Sequence, residues 1–312
     1  MKVLMLAIND WSNTGWRFSK CLKNLGYDVK AYKTTKHKFG YPQQMEKRPS
    51  QSKLRKEAME SDVLHFIAST YVKTGVDMKN KFSVVNHGGT AFRTKSKEIN
   101  NIFNRFVDAC LIQCPDLLNL GAKNEHLIYY PVDVNFITPN FNKPRKKLTI
   151  GHFPSGIVKG TENILEVINE FRDNINYVGK ENIIKGGYLV KWEDNLKRMS
   201  KCDIIIETMN PKIGKNKFGE WGNTALEAAS LGKIVITNTL SRNIYEKEYG
   251  ELQLCIVNDK DQLRKKLNEL LSLSEKELMD LKYKTREWVE NNHSIEATSV
   301  RLRNKIYKYF EG

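Results

Sequence analysis

The chain has 312 residues and 40% hydrophobic composition, enough to bury two ordinary cores and too much for one small domain or a disordered tail. Its 51 Lys+Arg against 36 Asp+Glu leave a net charge of +15, which points to a partner or substrate carrying negative charge. The longest apolar runs, Val3 to Ile8 and Cys202 to Glu207, fall far short of the roughly 20 residues that cross a bilayer.

Met1-Lys2 runs straight into VLMLAI without the basic region, long apolar region and small-residue cleavage site of a signal peptide. A first core strand and a cytoplasmic protein are expected. The alternation continues with the amphipathic GWRFSKCLKNLG, the strand YDVKAY, the helix-like SKLRKEAME and the strand DVLHFIAS. SVVNHGG, SKEINNIFNRFV, DACLIQC and HLIYYP extend it to about residue 131. Such alternation predicts a parallel sheet covered by helices. TPNFNKPRKK, rich in proline, asparagine and basic residues, then breaks the pattern and is read as a domain boundary.

The pattern restarts with LTIGHFPS, a helix from Thr161 to Arg172, INYVGK, the helix WEDNLKRMS, CDIIIETM, the helix TALEAASLG, KIVITN, QLCIV and DKDQLRKKLNELLSL. The segment from Ser274 to Phe310 has helical spacing and high charge. The expected layout is therefore residues 1–140, residues 146–290, and a closing helix over 291–312 packing back across both domains. Cys21, Cys110, Cys114, Cys202 and Cys255 are odd in number and lie in apolar segments. They read as reduced, buried small hydrophobes, the Cys110/Cys114 spacing included.

Residues 1–150 hold 25 Lys+Arg against 12 Asp+Glu, so the basicity belongs to the first domain. Much of it lies between Lys30 and Lys56, interleaved with Tyr32, His37, Phe39 and Tyr41. Basic residues mixed with aromatics suit a phosphate backbone with stackable groups, and equally a solvated surface. Asp259-Lys260-Asp261 after QLCIV mimics a metal-binding D-x-D, but the helical run that follows makes these aspartates helix caps. No His, Cys and carboxylate cluster suggests a metal.

Phe218 to Thr237, FGEWGNTALEAASLGKIVIT, is the most informative stretch. A glycine-bearing turn leads into a helix begun by Asn223 or Thr224 and ended by Gly232 before a buried strand. The N–H groups at such a helix start suit a phosphate, and Glu227, about one turn in, is placed to accept from sugar hydroxyls. Any strand-turn-helix unit shares these traits. NHGG puts His87 at a strand end before Gly88-Gly89, and its two ring nitrogens suit hydroxyl and phosphate contacts. His152 is a weaker candidate, and His65 reads as core.

The stretch resembles the C-terminal signature of retaining GT-B-fold glycosyltransferases, the group that includes glycogen synthase-like and lipopolysaccharide enzymes. Gly219, Glu220, Trp221, Gly222, Glu227, Ala228, Ala229, Gly232 and the strand from Lys233 to Ile236 fall on the pattern E-G-F-G-x4-E-A-x-A-x-G-x-P-V-V. The family's first glutamate falls on Gly219, with Glu220 one place later, and its proline is Ile234. GHFPSGIVKG resembles the segment opening the second domain, with Lys159 at the lysine that neutralises the diphosphate. Pro154 replaces the partner arginine, whose charge Lys215 or Lys217 is placed to supply. NTGWRFSKCLKNLGYDV is similar to the family's first loop and helix, and HLIYYPVDVNFITP to the element ending the first domain.

The resemblance implies an α/β GT-B fold, two Rossmann-like domains facing a cleft, and transfer from a nucleotide-diphosphate sugar, with a UDP-sugar expected as donor and no other cofactor. It places Glu227 on the ribose, Lys159 with Gly222, Asn223 and Thr224 on the diphosphate, and Glu220 and His87 toward the donor sugar. Gly15, with Asn13 and Thr14, faces the cleft, where backbone N–H groups meet the donor phosphate or the acceptor, or else forms a plain helix N-cap with Gly15 as a packing residue. Retention of configuration is implied as well. The charge of the first domain makes the acceptor anionic: DNA with a hydroxymethylated base is narrowly favoured, with Trp11 or Trp16 near the base, over a lipid-linked or cell-surface glycan at an anionic membrane. SQSKLRKEAMESD offers charge and little apolar face for a membrane. A nucleic-acid-binding protein on a disabled scaffold, and an epimerase of the same fold, stay open beside these.

Overall fold

The computed structural model describes all residues except Arg145, residues 180–189, Pro211, Gly214, Lys215, Phe218 and Gly312. For Asn80, Ile157, Lys212, Ile213, Asn216 and Lys217 it describes the backbone alone. The chain divides into two compact units, Met1–Pro131 with His293–Gly312, and Val132–Asn292.

The first unit is built on β1 (Lys2–Ala7), α1 (Thr14–Asn24), β2 (Asp28–Lys33), β3 (Glu46–Lys47), α2 (Gln51–Glu60), β4 (Val63–Phe66), β5 (Phe82–His87), α3 (Gly89–Phe103), β6 (Ala109–Ile112) and β7 (Glu125–Leu127). Its strands form one parallel sheet in the order β3-β2-β1-β4-β5-β6-β7. Both faces are covered, so β1 is apolar from Val3 to Ala7: Val3, Met5 and Ala7 join one core, Leu4 and Leu6 the other. Phe18, Cys21 and Leu22 of α1 pack on the first of these cores.

In the second unit β8 (Thr149–His152), α4 (Thr161–Glu170), β9 (Asn176–Gly179), α5 (Trp192–Ser200), β10 (Ile204–Ile206), a two-stranded ribbon of β11 (Lys212–Ile213) and β12 (Asn216–Lys217), α6 (Asn223–Ser230), β13 (Ile234–Thr237), α7 (Arg242–Tyr249), β14 (Cys255–Ile256), α8 (Lys260–Ser272) and α9 (Glu275–His293) follow in turn. The main sheet is parallel, in the order β14-β13-β10-β8-β9. Ile150, Ile204, Ile206, Ile234 and Ile236 of its strands meet α4 and α8 through Ile164, Val167, Leu263 and Leu267. Asp259 Oδ1 accepts from the Gln262 N–H at 2.8 Å and so caps α8.

Residues 132–140, read from the sequence as the end of the first domain, pack with the second unit. Three cations donate to carbonyls of this segment and of Asn142 just after it. Arg286 reaches Val134 and Ile137, each at 3.0 Å. Lys233 reaches Asn140 at 2.7 Å, and Lys282 reaches Asn142 at 3.0 Å while pairing with Asp203 at 2.7 Å.

The closing segment is two helices. Ser294 caps α10 (Ile295–Lys305) by accepting from the Ala297 N–H, and α10 packs in the first unit. There Ser299 Oγ donates to the Cys21 carbonyl at 2.9 Å, and the Tyr307 hydroxyl lies 2.8 Å from His65 Nδ1. Of the segment 291–312 expected to pack back across both domains, residues 293–312 group with the first unit and residues 291–292, near the end of α9, with the second.

Burial pushes His65, His87 and His293 down to about 3, and His37 and His152 down to about 4. These residues stay neutral in the fold but charge in the unfolded chain below pH 6.5, so stability present above that pH is lost as the pH falls toward their folded values. Asp10, raised by burial to about 6, acts oppositely between that value and 3.8. The histidines dominate by number. Lowering the pH from 7 to 5 should cost about 1–2 kcal/mol per buried histidine, read as a steep fall in melting temperature with net proton uptake on unfolding by calorimetry.

Candidate functional site

In an open parallel sheet a ligand crevice forms at the carboxyl ends of adjacent strands whose connections leave in opposite directions. These switch points lie between β1 and β4 in the first unit and between β8 and β10 in the second. Among the described residues, five of the seven non-glycine residues with positive φ flank them: Ser12, Asn13, Ala68, Ser69 and Asn210. Such conformations collect where a loop's shape serves a site.

In the second unit the loops after β8 and β10 are brought into van der Waals contact by Gly160. Its φ is +70°, and a Cβ there would stand 1.9 Å from the Met209 carbonyl oxygen. The Lys159 carbonyl accepts from the Met209 N–H at 3.2 Å and from Thr208 Oγ1 at 3.3 Å. The side chain of Lys159 consequently meets Glu207, which follows β10 directly, and the two form an ion pair. Glu207 is buried, and its second oxygen accepts from Thr237 Oγ1 at 2.9 Å.

This pair sits against the start of α6. A Cβ on Gly222 would lie 3.6 Å from Glu207 Oε1 and 3.7 Å from Lys159 Nζ. The N-cap of α6 is Gly222, which has no side chain of its own to cap the helix, so Gly222, Asn223 and Thr224 form a helix start with the Lys159–Glu207 pair beside it. The helix ends as its sequence foretold: Gly232 at φ +69° lets the Gly232 and Lys233 N–H groups close on Ala229 and Ala228. Trp221, packed edge-on to Tyr245 with centroids 5.1 Å apart, anchors the preceding turn in the core.

Glu227 is buried, and its Oε1 accepts from Trp192 Nε1 at 2.9 Å. Glu220 is buried too, with both oxygens within 3.1 Å of Thr239 Oγ1, just beyond β13. A Cβ on Gly219 would come within 2.4 Å of Leu240, so the family position of the first glutamate is filled by that leucine. Asn238, also beyond β13, accepts on Oδ1 from the Asn210 N–H at 3.2 Å, and its buried Nδ2 has no partner among the described residues. Of the two lysines suggested to replace the absent arginine, Lys215 lies outside the described residues, and Lys217 is described by its backbone alone.

His152 is wholly buried between an Ile206 carbonyl at 2.7 Å from Nδ1 and Thr161 Oγ1 at 3.0 Å from Nε2. It therefore ties β8 to β10 and α4. Among the described residues no three His, Cys, Asp or Glu side chains converge to hold a metal.

The first unit treats its switch point differently. Asp10 is buried and accepts from the N–H groups of Gly15 at 2.6 Å and Trp16 at 3.1 Å. The helix start that the sequence offered to a phosphate is thus occupied by the protein's own carboxylate. Gly15 serves packing, since a Cβ there would stand 2.6 Å from Met45 Sδ. His87 is fully buried, stacked on Phe92 with centroids 4.1 Å apart, with Nδ1 3.0 Å from Ser69 Oγ and Nε2 without a partner among the described residues. It packs β5 against α3, and contact with a donor requires that packing to open.

Beside Asp10, Trp11 is 47% exposed and meets Phe39 edge-on at 5.4 Å, with His37 and Tyr41 completing the cluster. Lys36 and Lys38, on either side of His37 in the sequence, are exposed. Trp16 is half-buried against the core with the Lys23 ammonium 5.4 Å from its ring centroid, which leaves Trp11 as the accessible ring.

Sequence reasoning missed Glu207, Thr237, Trp192 and Asp10. A lone carboxylate ending a continuous apolar strand, as in Ile204-Ile205-Ile206-Glu207, was the available signal. Because Gly160 alone permits the close approach of the two loops, Gly160→Ala should lower stability by about 2–4 kcal/mol and disrupt the Lys159–Glu207 pair. A melting-temperature comparison with Gly156→Ala, where a Cβ meets nothing, checks it.

No protein-family model matches the sequence, and no curated protein does. Solved structures match along nearly the whole chain. HepE of Anabaena in complex with UDP-glucose is 11% identical, covers 99% of this chain and 100% of its own, and has a TM-score of 0.64. AviGT4, a glycosyltransferase involved in avilamycin A biosynthesis, is 14% identical with coverages of 100% and 98% and a TM-score of 0.61. Sucrose-phosphate synthase from Thermosynechococcus elongatus is 12% identical, covers 99% of each chain and has a TM-score of 0.58. The parallel sheets of the two units and this likeness together establish that the chain has the GT-B fold of glycosyltransferases, built from two Rossmann-like units.

Proposed function

We propose that the protein is a glycosyltransferase that moves a sugar from a UDP-sugar to a hydroxyl of a polyanionic acceptor. The observation that carries the donor half is the start of α6: a helix end whose N-cap is Gly222, with Lys159 Nζ held beside it at the β8/β10 switch point. The UDP-glucose bound to HepE, a protein of the same fold, supports the choice of nucleotide.

In this reading Lys159 and the dipole of α6 hold the diphosphate and stabilise the charge that gathers on it as the sugar leaves. Glu227, fixed by Trp192, takes the ribose hydroxyls, and Glu220, fixed by Thr239, lies toward the sugar. The resemblance carries retention of configuration with it, which the anomeric proton signal of the product reads directly.

Gly222→Ala tests the donor site. Its φ of −122° suits any residue and a Cβ there meets no closer neighbour than 3.6 Å, so the variant should keep its melting temperature. The added methyl stands between Lys159 and the helix start, and affinity for UDP should fall at least about tenfold, a loss of about 1.4 kcal/mol. UDP binding that survives the methyl unchanged rejects this placement.

The acceptor half rests on charge and aromatic rings. The first unit holds 25 Lys+Arg against 13 Asp+Glu, whereas the second holds 26 against 23. The exposed Trp11 ring, packed against His37 of a segment whose Lys36 and Lys38 are exposed, suits an unstacked base next to phosphates. This favours DNA carrying a hydroxymethylated base. The rival, a lipid-linked glycan at an anionic membrane, asks for an amphipathic helix with a broad apolar face. On α2 the exposed large apolar residue is Met59, and among the described residues no helix is long and apolar enough to cross a membrane. Retention on DNA should fall steeply with salt and weaken in Trp11→Ala; retention on anionic vesicles but not on DNA selects the rival.

A further inference from the structure

The ammonium assigned to the diphosphate does not stand alone. Behind Lys159, whose side chain is 19% exposed, lies the carboxylate of Glu207, whose side chain is 1% exposed. Thr237 Oγ1 donates to its far oxygen at 2.9 Å, so the carboxylate is fixed from the rear and touches Lys159 in front. The sequence has no arginine at the family position, where Pro154 stands. One buried negative charge therefore offsets the positive charge of Lys159 at the place where anionic phosphate is expected.

We propose that Glu207 makes the donor site discriminate by ligand charge: it tolerates the diphosphate of a nucleotide-sugar, repels the more highly charged nucleoside diphosphate left after transfer, and so speeds product release. The inference rests on the reading of the α6 start as the donor site. In the transfer step the bond from the anomeric carbon to the β-phosphate oxygen breaks, and both electrons leave with that oxygen. The anomeric carbon bonds the acceptor oxygen, whose proton passes to the phosphate and, at neutral pH, on to water. A phosphate with one ester bond has a second pKa of about 6, so UDP at pH 7.5 carries about one unit of negative charge more than a UDP-sugar.

That extra charge arises on the phosphate nearest Lys159. A phosphate oxygen hydrogen-bonded to the ammonium lies within about 6 Å of Glu207 Oε1, because the ammonium touches both. At that range a unit charge beside a buried carboxylate changes an affinity by about tenfold, using an effective dielectric between protein surface and water. The same carboxylate keeps the lysine in one orientation, which lowers the ordering cost of ligand binding. Glu207 is thus a positioning residue for Lys159 as well as a counter-charge, and the two roles separate by experiment.

The test measures dissociation constants for UDP and UDP-glucose by calorimetry at pH 7.5 in the full wild-type chain, E207Q and E207D. In the wild type UDP should bind at least about threefold more weakly than UDP-glucose. E207Q keeps the shape and one of the two acceptor oxygens but loses the charge, and should tighten UDP about tenfold and UDP-glucose by a smaller factor, lowering the ratio of the two constants at least about threefold. E207D, which keeps the charge, should hold the wild-type ratio even where both affinities drop. A purely structural role would weaken both ligands together and leave the ratio alone in both variants, which overturns the inference. A wild-type chain that holds UDP more tightly than UDP-glucose overturns it without reference to any variant. A wild-type chain that binds neither nucleotide rejects the donor-site reading itself, and this inference falls with it.

Discussion

The contact on which the candidate site depends is the approach of the two loops beyond β8 and β10 at Gly160. A left-handed residue without a Cβ lets the Met209 carbonyl come close, and this places the Lys159 backbone within reach of Thr208 and Met209. Only then does the Lys159 ammonium meet a carboxylate that the adjacent strand carries at its end. Burying Glu207 without that cation would leave an unpaired charge in a low-dielectric interior, a penalty of several kcal/mol. The glycine, the lysine and the glutamate therefore constrain one another. Any residue other than glycine at position 160 puts the charge balance at risk as well as the turn.

The fold was legible in the sequence because burial on both faces of a parallel sheet leaves continuous apolar runs, such as VLMLA, and these stand out against amphipathic helices. The start and end of α6 were legible for the same kind of local reason, a glycine on each side of an alanine-rich turn. Glu207 was not. Nothing within a few residues of it says whether a carboxylate after three isoleucines meets solvent or a lysine 48 positions away. Asp10 was illegible too, since the resemblance pointed at the Asn13-Thr14-Gly15 turn while the residue that satisfies that turn lies five positions before Gly15. The domain boundary was misplaced because proline and asparagine mark a break in pattern, whereas the packing of residues 132–140 is decided by three cations far along the chain.

Those cations show how the second unit holds an irregular segment. Lys233, Lys282 and Arg286 are all buried, and each donates to backbone carbonyls of residues 134–142. Extended chain leaves carbonyl groups without helical or sheet partners, and a buried one costs as much as a lost hydrogen bond. Long cationic side chains reach several such groups at once, and Asp203 beside Lys282 supplies the compensating charge. Burial, with Lys282 nearby, pushes Lys233 down to about 8. The same segment closes over Gly232, where Phe141 occupies the space a Cβ would need, so the end of α6 and this strap are fixed together.

The two units solve one problem in opposite ways. Each has a helix that starts at the switch point of a parallel sheet, with N–H groups that need a negative partner. In the first unit Asp10 fills that need internally, at the cost of a buried carboxylate whose pKa burial has pushed up to about 6. In the second, the N-cap of α6 is Gly222, which has no side chain, and the paired Lys159 and Glu207 lie beside it. At the α1 start a carboxylate holds the N–H groups directly, whereas at the α6 start the nearby carboxylate is matched by an ammonium. The donor site proposed for the second unit builds on this asymmetry. What the first unit offers instead is surface, an exposed indole packed with His37 and Phe39.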